Sequence, residues 1–318
     1  MRAIYFDGDT ALFVRNYYKP EPQPGESLVR VELTAISHSD EEAMQGHRPY
    51  YRGVMGHEFV GIVEASPDNF LISRRVVGEI NISCGSCLYC MTGREQHCKK
   101  RQTLGINGKD GSFADYLTLP TRLLWPVSPG LRPEQAVYTE PLAAALEIVS
   151  QLRFTPNYQV AIVGDGRMAL MVAQALSAST ACKLTVFGRH PEKLALFSTF
   201  CQTLMIDEAF DEARKSGFEI VVDASGDPAS LPQSLALTRS RGTLVVKSNF
   251  ANLTEISISD VVSREIRIQG SSSGPFAPAL QLLEKGYVRP PAPAIYKPED
   301  YQAAFRSTAF KTAFDFRL

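Results

Sequence analysis

Tryptophan occurs once and histidine five times in the 318 residues, and neither sign of charge is in excess. Lys and Arg number 33 against 34 Asp and Glu, a net charge of −1, which excludes a protein held on nucleic acid or a membrane surface by bulk charge. Long hydrophobic runs are missing too. The longest stretch without a charged residue, Ile268–Leu283, contains Gly270, Gly274, Pro275 and Pro278 and falls short of the ~20 apolar residues of a spanning helix. The opening Met1-Arg2-Ala3-Ile4-Tyr5-Phe6-Asp7 lacks the apolar core of a signal peptide and reads as a strand. No internal repeat or low-complexity segment stands out. What is present, 44% hydrophobic and 21% charged residues, describes a globular protein with ample material for a core. A cytoplasmic setting is expected, and in a reducing compartment clustered cysteines are metal ligands rather than disulfides.

Residues 1–130 read as short strands separated by Pro/Gly turns such as Pro22-Gln23-Pro24-Gly25. Leu28-Val29-Arg30-Val31-Glu32-Leu33 alternates apolar and charged positions, the pattern of a half-buried antiparallel strand. Val60–Val63, Arg75–Gly78 and 112–119 are further strands, and together they predict an all-β barrel. The pattern changes near residue 134. Glu134–Arg153 has helical spacing, with one early proline at Pro141. Strands at Val160–Val163, Leu184–Phe187, Ile220–Asp223, Gly242–Val246 and Glu265–Gly270 then alternate with helices at Met168–Ser177 and Pro191–Phe200. Alternation of this kind predicts an α/β unit with a doubly wound parallel sheet. A helix near 276–286 is expected to close that unit, and the Pro-rich tail 289–318 to rejoin the barrel.

Cys84, Cys87, Cys90 and Cys98 follow C-x2-C-x2-C-x7-C, with Gly85, Ser86 and Gly93 supplying turns. Four thiolates so spaced favour a closed tetrahedral structural zinc site. Iron–sulfur ligation fits less well, because the bacterial ferredoxin run has its fourth cysteine three residues on and a proline after it, where Lys99 stands here. Gly164-Asp165-Gly166-Arg167-Met168-Ala169 is G-x-G-x-x-A between a strand and a helix, the dinucleotide loop that seats a pyrophosphate on a helix N-terminus. Gly164 allows the tight turn, Gly166 lets the ligand approach the backbone, and Ala169 keeps strand and helix close. After the next strand, Phe187-Gly188-Arg189-His190-Pro191-Glu192-Lys193 offers no acid for a ribose 2′-hydroxyl. Arg189, assisted by His190 or Lys193, is placed to hold a 2′-phosphate, which favours NADP(H) over NAD(H).

Gly56-His57-Glu58-Phe59-Val60-Gly61 is not a zinc-protease helix, since Gly61 stands where that motif needs histidine. Taken with Ser37-His38-Ser39-Asp40 upstream and Thr139-Glu140-Pro141-Leu142-Ala143 downstream, it closely resembles the zinc-containing medium-chain alcohol dehydrogenase/reductase family. The order of parts matches along nearly the whole chain. The resemblance implies a GroES-like β-barrel catalytic domain over 1–145 with a structural-zinc lobe near 84–98. It also implies a Rossmann cofactor-binding domain over 146–284 and a return to the catalytic domain over 285–318. His57 and Glu140 would be catalytic zinc ligands, with Glu58 at or beside the metal. Ser39 would pass the substrate proton towards solvent, and Asp40 would orient His57. Family members are homodimers or homotetramers.

One position departs from the pattern. Where the family has a cysteine zinc ligand this chain has Ser37, and a neutral hydroxyl is a far poorer zinc donor than a thiolate. Three outcomes are open. His57, Glu58 and Glu140 hold zinc with Ser37 or water completing the set; His38 turns inward and substitutes; or the catalytic site is empty. The resemblance implies hydride transfer between NADP(H) or NAD(H) and an alcohol, aldehyde or ketone. The alternatives are a reductase of the same fold without catalytic zinc and a non-catalytic NADP(H)-binding protein. The substrate is expected to be a small alcohol or carbonyl compound, in a pocket lined from around Tyr50, Tyr51, Phe113 and 270–276.

Overall fold

The strand Glu26–Ala35 is the spine of the first of two units into which the chain divides. It pairs antiparallel with Glu58–Ala65 along one edge; its other edge is shared by Tyr116–Pro120, near one end, and Thr312–Asp315, near the other. The sheet continues outward through Arg75–Gly78 to Leu124–Pro126 on one side and to Ala294–Tyr296 on the other. A smaller sheet joins Ala3–Phe6 to Ala11–Val14 and Gly53–Val54. The computed structural model describes residues 1–47, 51–248 and 253–318. The first unit comprises 1–140, 276–286 and 291–318; the second comprises 141–275 and 287–290.

The alternation in Leu28–Leu33 does not produce alternating exposure. Glu32 is only 7% exposed, and its carboxylate accepts the Nε–H of Arg75 at 2.8 Å. Arg30 keeps 42% of its side chain exposed, whereas Glu32 is buried because a paired carboxylate can be buried at modest cost. Ile4, Phe6, Val31, Phe59, Phe113, Leu117 and Phe314 belong to the core. Phe113, expected at a pocket, is fully buried instead, its ring meeting that of Phe314 edge-on at 5.0 Å. It also lies against Gly56, whose φ of +86° suits glycine and where any Cβ would collide with the Phe113 ring.

In the second unit six strands run parallel in the order Gln202–Met205, Lys183–Gly188, Gln159–Val163, Phe218–Asp223, Thr238–Val246, Arg267–Gly270. The first strand in sequence lies inside the sheet and the chain winds outward from it in both directions, the doubly wound pattern. Helix Arg167–Ser179 follows the glycine loop and buries an unbroken run from Ala169 to Leu176.

The long helix expected over Glu134–Arg153 is two, Pro133–Ala136 and Thr139–Gln151. Pro141 falls in the first turn of the second, where its missing N–H costs nothing. A boundary at 145/146 would fall inside that helix, and the two units instead divide after Glu140. The helix expected over Pro191–Phe200 stops at Leu194. Helix Phe276–Glu284, expected to close the sheet unit, belongs to the first unit. Among the described residues no helix is long and apolar enough to cross a membrane.

Replacing Gly56 by Ala combines left-handed strain with overpacking against Phe113. It is expected to lower unfolding free energy by roughly 2–4 kcal/mol, read as a reduced midpoint in urea denaturation.

Candidate active site and dinucleotide loop

The turn at Gly56 delivers His57 and Glu58 to the start of strand Glu58–Ala65, while Glu140 is the second residue of helix Thr139–Gln151. All three belong to the first unit. A ligand-type atom from each lies within 4.8 Å of the other two. The His57 ring is buried and its Nδ1 has no hydrogen-bond partner. An orphaned imidazole nitrogen is costly unless something else meets it. Beside two carboxylates, a divalent cation of the zinc type fits this donor set.

Ser37 is spoken for. It is the N-cap of helix His38–Met44, and its Oγ donates to Asp40 Oδ2 at 2.6 Å. Asp40 Oδ2 also accepts from the Ser37 N–H at 2.9 Å, closing a capping box. Asp40 Oδ1 accepts the Gly56 N–H at 3.1 Å. Asp40 was expected to orient the His57 ring, but its hydrogen bonds go to Ser37 and to the backbone just before His57. It therefore fixes the strand entry rather than the imidazole. Ser39 Oγ is 2.9 Å from Ser37 Oγ, so Ser39, Ser37 and Asp40 form one hydroxyl–carboxylate chain. His38 does not turn inward: its side chain is 59% exposed and stands 3.6 Å from Glu41 and 3.8 Å from Glu42.

The four cysteine sulfurs also gather, all within 4.8 Å of one another. Separations of 3.4 Å (Cys87–Cys90), 3.8 Å (Cys87–Cys98) and 3.9 Å (Cys84–Cys90) bracket the ~3.8 Å edge of a tetrahedron with zinc–sulfur bonds of about 2.3 Å. N–H and hydroxyl donors from Ser86 pull the Cys84 thiol down to about 6, whereas burial pushes Cys90 up to about 11.

In the second unit Gly164 has φ +126°, and a Cβ there would lie 2.7 Å from the Ala224 carbonyl oxygen. Gly166 caps helix Arg167–Ser179 and faces open space, while Ala169 is fully buried. This is the expected division of labour for a pyrophosphate loop. Arg189 Nη1 reaches Asp227 Oδ2 at 3.0 Å. The loop aspartate Asp165 accepts from Arg189 N–H (2.8 Å), His190 N–H (2.9 Å) and His190 Nδ1 (2.9 Å), all through Oδ2. Burial pushes its carboxyl up, but those donors outweigh burial and hold it below the usual carboxylate range.

Residues 23–129 match the alcohol dehydrogenase GroES-like domain and residues 166–285 the zinc-binding dehydrogenase domain. A sorbitol dehydrogenase from Halalkalibacterium halodurans is 30% identical over 288 residues, covering 84% of this chain and 83% of its own. The chain belongs to the zinc-containing medium-chain alcohol dehydrogenase/reductase family. An erythritol/L-threitol dehydrogenase from Mycolicibacterium smegmatis is 27% identical, covering 90% of this chain and 87% of its own. A zinc-binding dehydrogenase from Sinorhizobium meliloti, crystallised with NADP, superposes with a TM-score of 0.90 at 26% identity, covering 99% and 98% of the two chains. Like its medium-chain relatives, the chain is an alcohol dehydrogenase-like oxidoreductase.

Two residues of this medium-chain dehydrogenase escaped the sequence reading. One is Asp165, to which the glycine motif assigns no role. The other is Lys311, 3% exposed, with Nζ 2.5 Å from Glu58 Oε2. The contact is ionic rather than a well-directed hydrogen bond, since that oxygen has no partner of hydrogen-bonding geometry. A single lysine inside Phe310-Lys311-Thr312-Ala313-Phe314 was the available signal. Of the expected pocket residues, Tyr51 is buried with its hydroxyl donating to the Val54 carbonyl, and Phe276 is buried. Tyr50 lies outside the described residues.

Lys311→Ala would leave the Glu58 carboxylate buried without its cation, which costs roughly 3–5 kcal/mol in comparable sites. A large fall in urea midpoint is expected, and an unchanged midpoint would show that the pair carries no weight. In metal-free protein at pH 7, Cys84 lies above its pKa of about 6 and is thiolate, whereas Cys90, at about 11, stays protonated. Iodoacetamide followed by peptide mass spectrometry should therefore mark Cys84 before Cys90, and zinc should protect both.

Proposed function

We propose that the chain is a nicotinamide-dependent dehydrogenase of small polyols or related alcohols and their carbonyl partners, with two zinc sites. The cluster of His57, Glu58 and Glu140, with its buried unpartnered imidazole nitrogen, is the observation that carries this reading. The sorbitol and erythritol/threitol dehydrogenases among its relatives support the substrate class. In this assignment Cys84, Cys87, Cys90 and Cys98 hold a structural zinc, and His57, Glu58 and Glu140 hold a catalytic one. When bound, the catalytic metal supplies Lewis acidity to an alcohol or carbonyl oxygen, and the nicotinamide supplies or accepts hydride.

The chain's own residues do the rest. Ser39 is the hydroxyl that takes or returns the substrate proton, with Ser37 hydrogen-bonded behind it and Asp40 beyond. Lys311 sets its ammonium 2.5 Å from the Glu58 carboxylate, and Asp40 holds the backbone from which His57 projects. Gly164, Gly166 and Ala169 shape the seat of the pyrophosphate. Arg189, with His190 beside it, supports NADP(H) over NAD(H), while solved relatives were crystallised with NADP and with NADH. The unpaired thiols fit a reducing cytoplasm, where a homodimer or homotetramer is proposed.

The capping role of Ser37 favours a second reading, a reductase of the same fold that works without catalytic zinc. Metal analysis separates the two. The proposal expects two zinc ions per chain and NAD(P)-linked oxidation of polyols lost in His57→Ala; one zinc with unimpaired carbonyl or enone reduction in that variant selects the second reading. Ser37→Cys supplies the missing thiolate and should raise zinc affinity and turnover by at least tenfold, on the order of 1.4 kcal/mol. A variant unchanged in both places the metal elsewhere.

A further inference from the structure

The position that ends strand Lys183–Gly188 is where an NAD site ordinarily carries an acid for the ribose 2′-hydroxyl. Here it is Gly188, and the reason is spatial. A Cβ at Gly188 would come within 2.8 Å of Asp165 Cβ, Asp165 Oδ2 and Leu194 Cδ2. The room for a strand-end side chain is already taken by the aspartate of the glycine loop. That aspartate is 12% exposed at its side chain and does not point idly: through one oxygen it meets the two backbone N–H groups that follow the strand and the ring of His190. Two convergent amides and an imidazole make an anion seat. Asp165 Oδ1, the other oxygen, has no hydrogen-bond partner among the described residues.

We propose that Asp165 is the specificity-determining residue of the dinucleotide site. Its carboxylate fills the anion seat formed by Arg189 N–H, His190 N–H and the His190 ring, so that it opposes a 2′-phosphate and offers Oδ1 to an unphosphorylated ribose. The inference rests on the dinucleotide reading of the glycine loop. Arg189 draws selectivity toward NADP(H), and Asp165 pushes it back. The push has two sources: like charge at short range, and donors already satisfied. Asp227 acts in the same direction, because it engages the Arg189 guanidinium that a phosphate would otherwise have to itself. The acid of an NAD site has thus moved from the strand end to the loop, and cations that read as a phosphate pocket are answered from within.

The test is the ratio of NADH to NADPH dissociation constants, from fluorescence titration of the full chain, for wild type, Asp165→Asn, Asp165→Ala and Arg189→Ala. Asp165→Asn keeps the shape and removes the charge; it should tighten NADPH by roughly tenfold while leaving NADH unchanged or weaker. Asp165→Ala should move the ratio the same way. Adenosine 2′,5′-bisphosphate against 5′-AMP repeats the comparison without the nicotinamide half. A ratio that shifts by less than twofold in both Asp165 variants, or shifts toward NADH, overturns the proposal while leaving the dinucleotide reading intact. Wild-type protein that binds neither cofactor overturns that reading and this inference with it. Arg189→Ala weakening NADPH and NADH equally removes the opposing pull and so counts against a 2′-phosphate subsite for Asp165 to guard.

Discussion

A carboxylate taken out of water needs donors or opposite charge to meet it, and in the first unit Glu58 is met by a lysine. Glu58 opens its strand directly after His57, and Lys311 reaches it from just before the strand Thr312–Asp315. Both side chains are almost wholly buried. Neither could sit there alone, because an unpaired charge in that environment costs several kcal/mol or surrenders its proton. The pair therefore fixes where the last strand must lie, and that strand in turn packs Phe314 against Phe113. Phe113 fills the space beside Gly56, and Gly56 sets the direction of His57. Ion pair, core and site are one connected constraint.

The same economy of parts operates at Ser37. A thiolate at this position would be free to face a metal, whereas the hydroxyl is short, hard and well suited to a helix end. It has become the cap of His38–Met44, and Asp40 answers it in a capping box. Asp40 then has only one oxygen left, and that oxygen goes to the Gly56 amide rather than to the imidazole. Both Asp40 oxygens are thereby engaged, and His57 is left with an unanswered nitrogen.

Much of this was legible in the residues. Four cysteines in close spacing announce their sulfur cluster because thiolates that near one another need a common partner. The glycine loop is readable because backbone geometry dictates Gly164, Gly166 and Ala169 individually. The parallel sheet shows itself in apolar runs, since strands covered on both faces have little use for polar residues. What stayed hidden depends on contacts between distant segments. The partner of Glu58 lies far along the chain, and the apolar residues beside Lys311 hint at burial without saying what it meets. Phe113 looked like an aromatic for a pocket because only the fold brings Gly56 against it. Asp165 was masked by its own motif, whose middle position accepts any residue, so its grip on Arg189 and His190 appears only in three dimensions. Helix ends failed for a related reason: Pro191–Leu194 stops early although composition permits more, because tertiary packing rather than propensity decides short helices.

The pairing of Leu33–Ala35 with Ala313–Asp315 joins segments from opposite extremes of the described sequence. Until that junction closes, part of one edge of the central strand presents bare amides and carbonyls, beside a half-assembled aromatic cluster. Closure of so long a loop comes late and slowly during self-assembly. An edge of this kind is where the same segment of a second copy could pair instead.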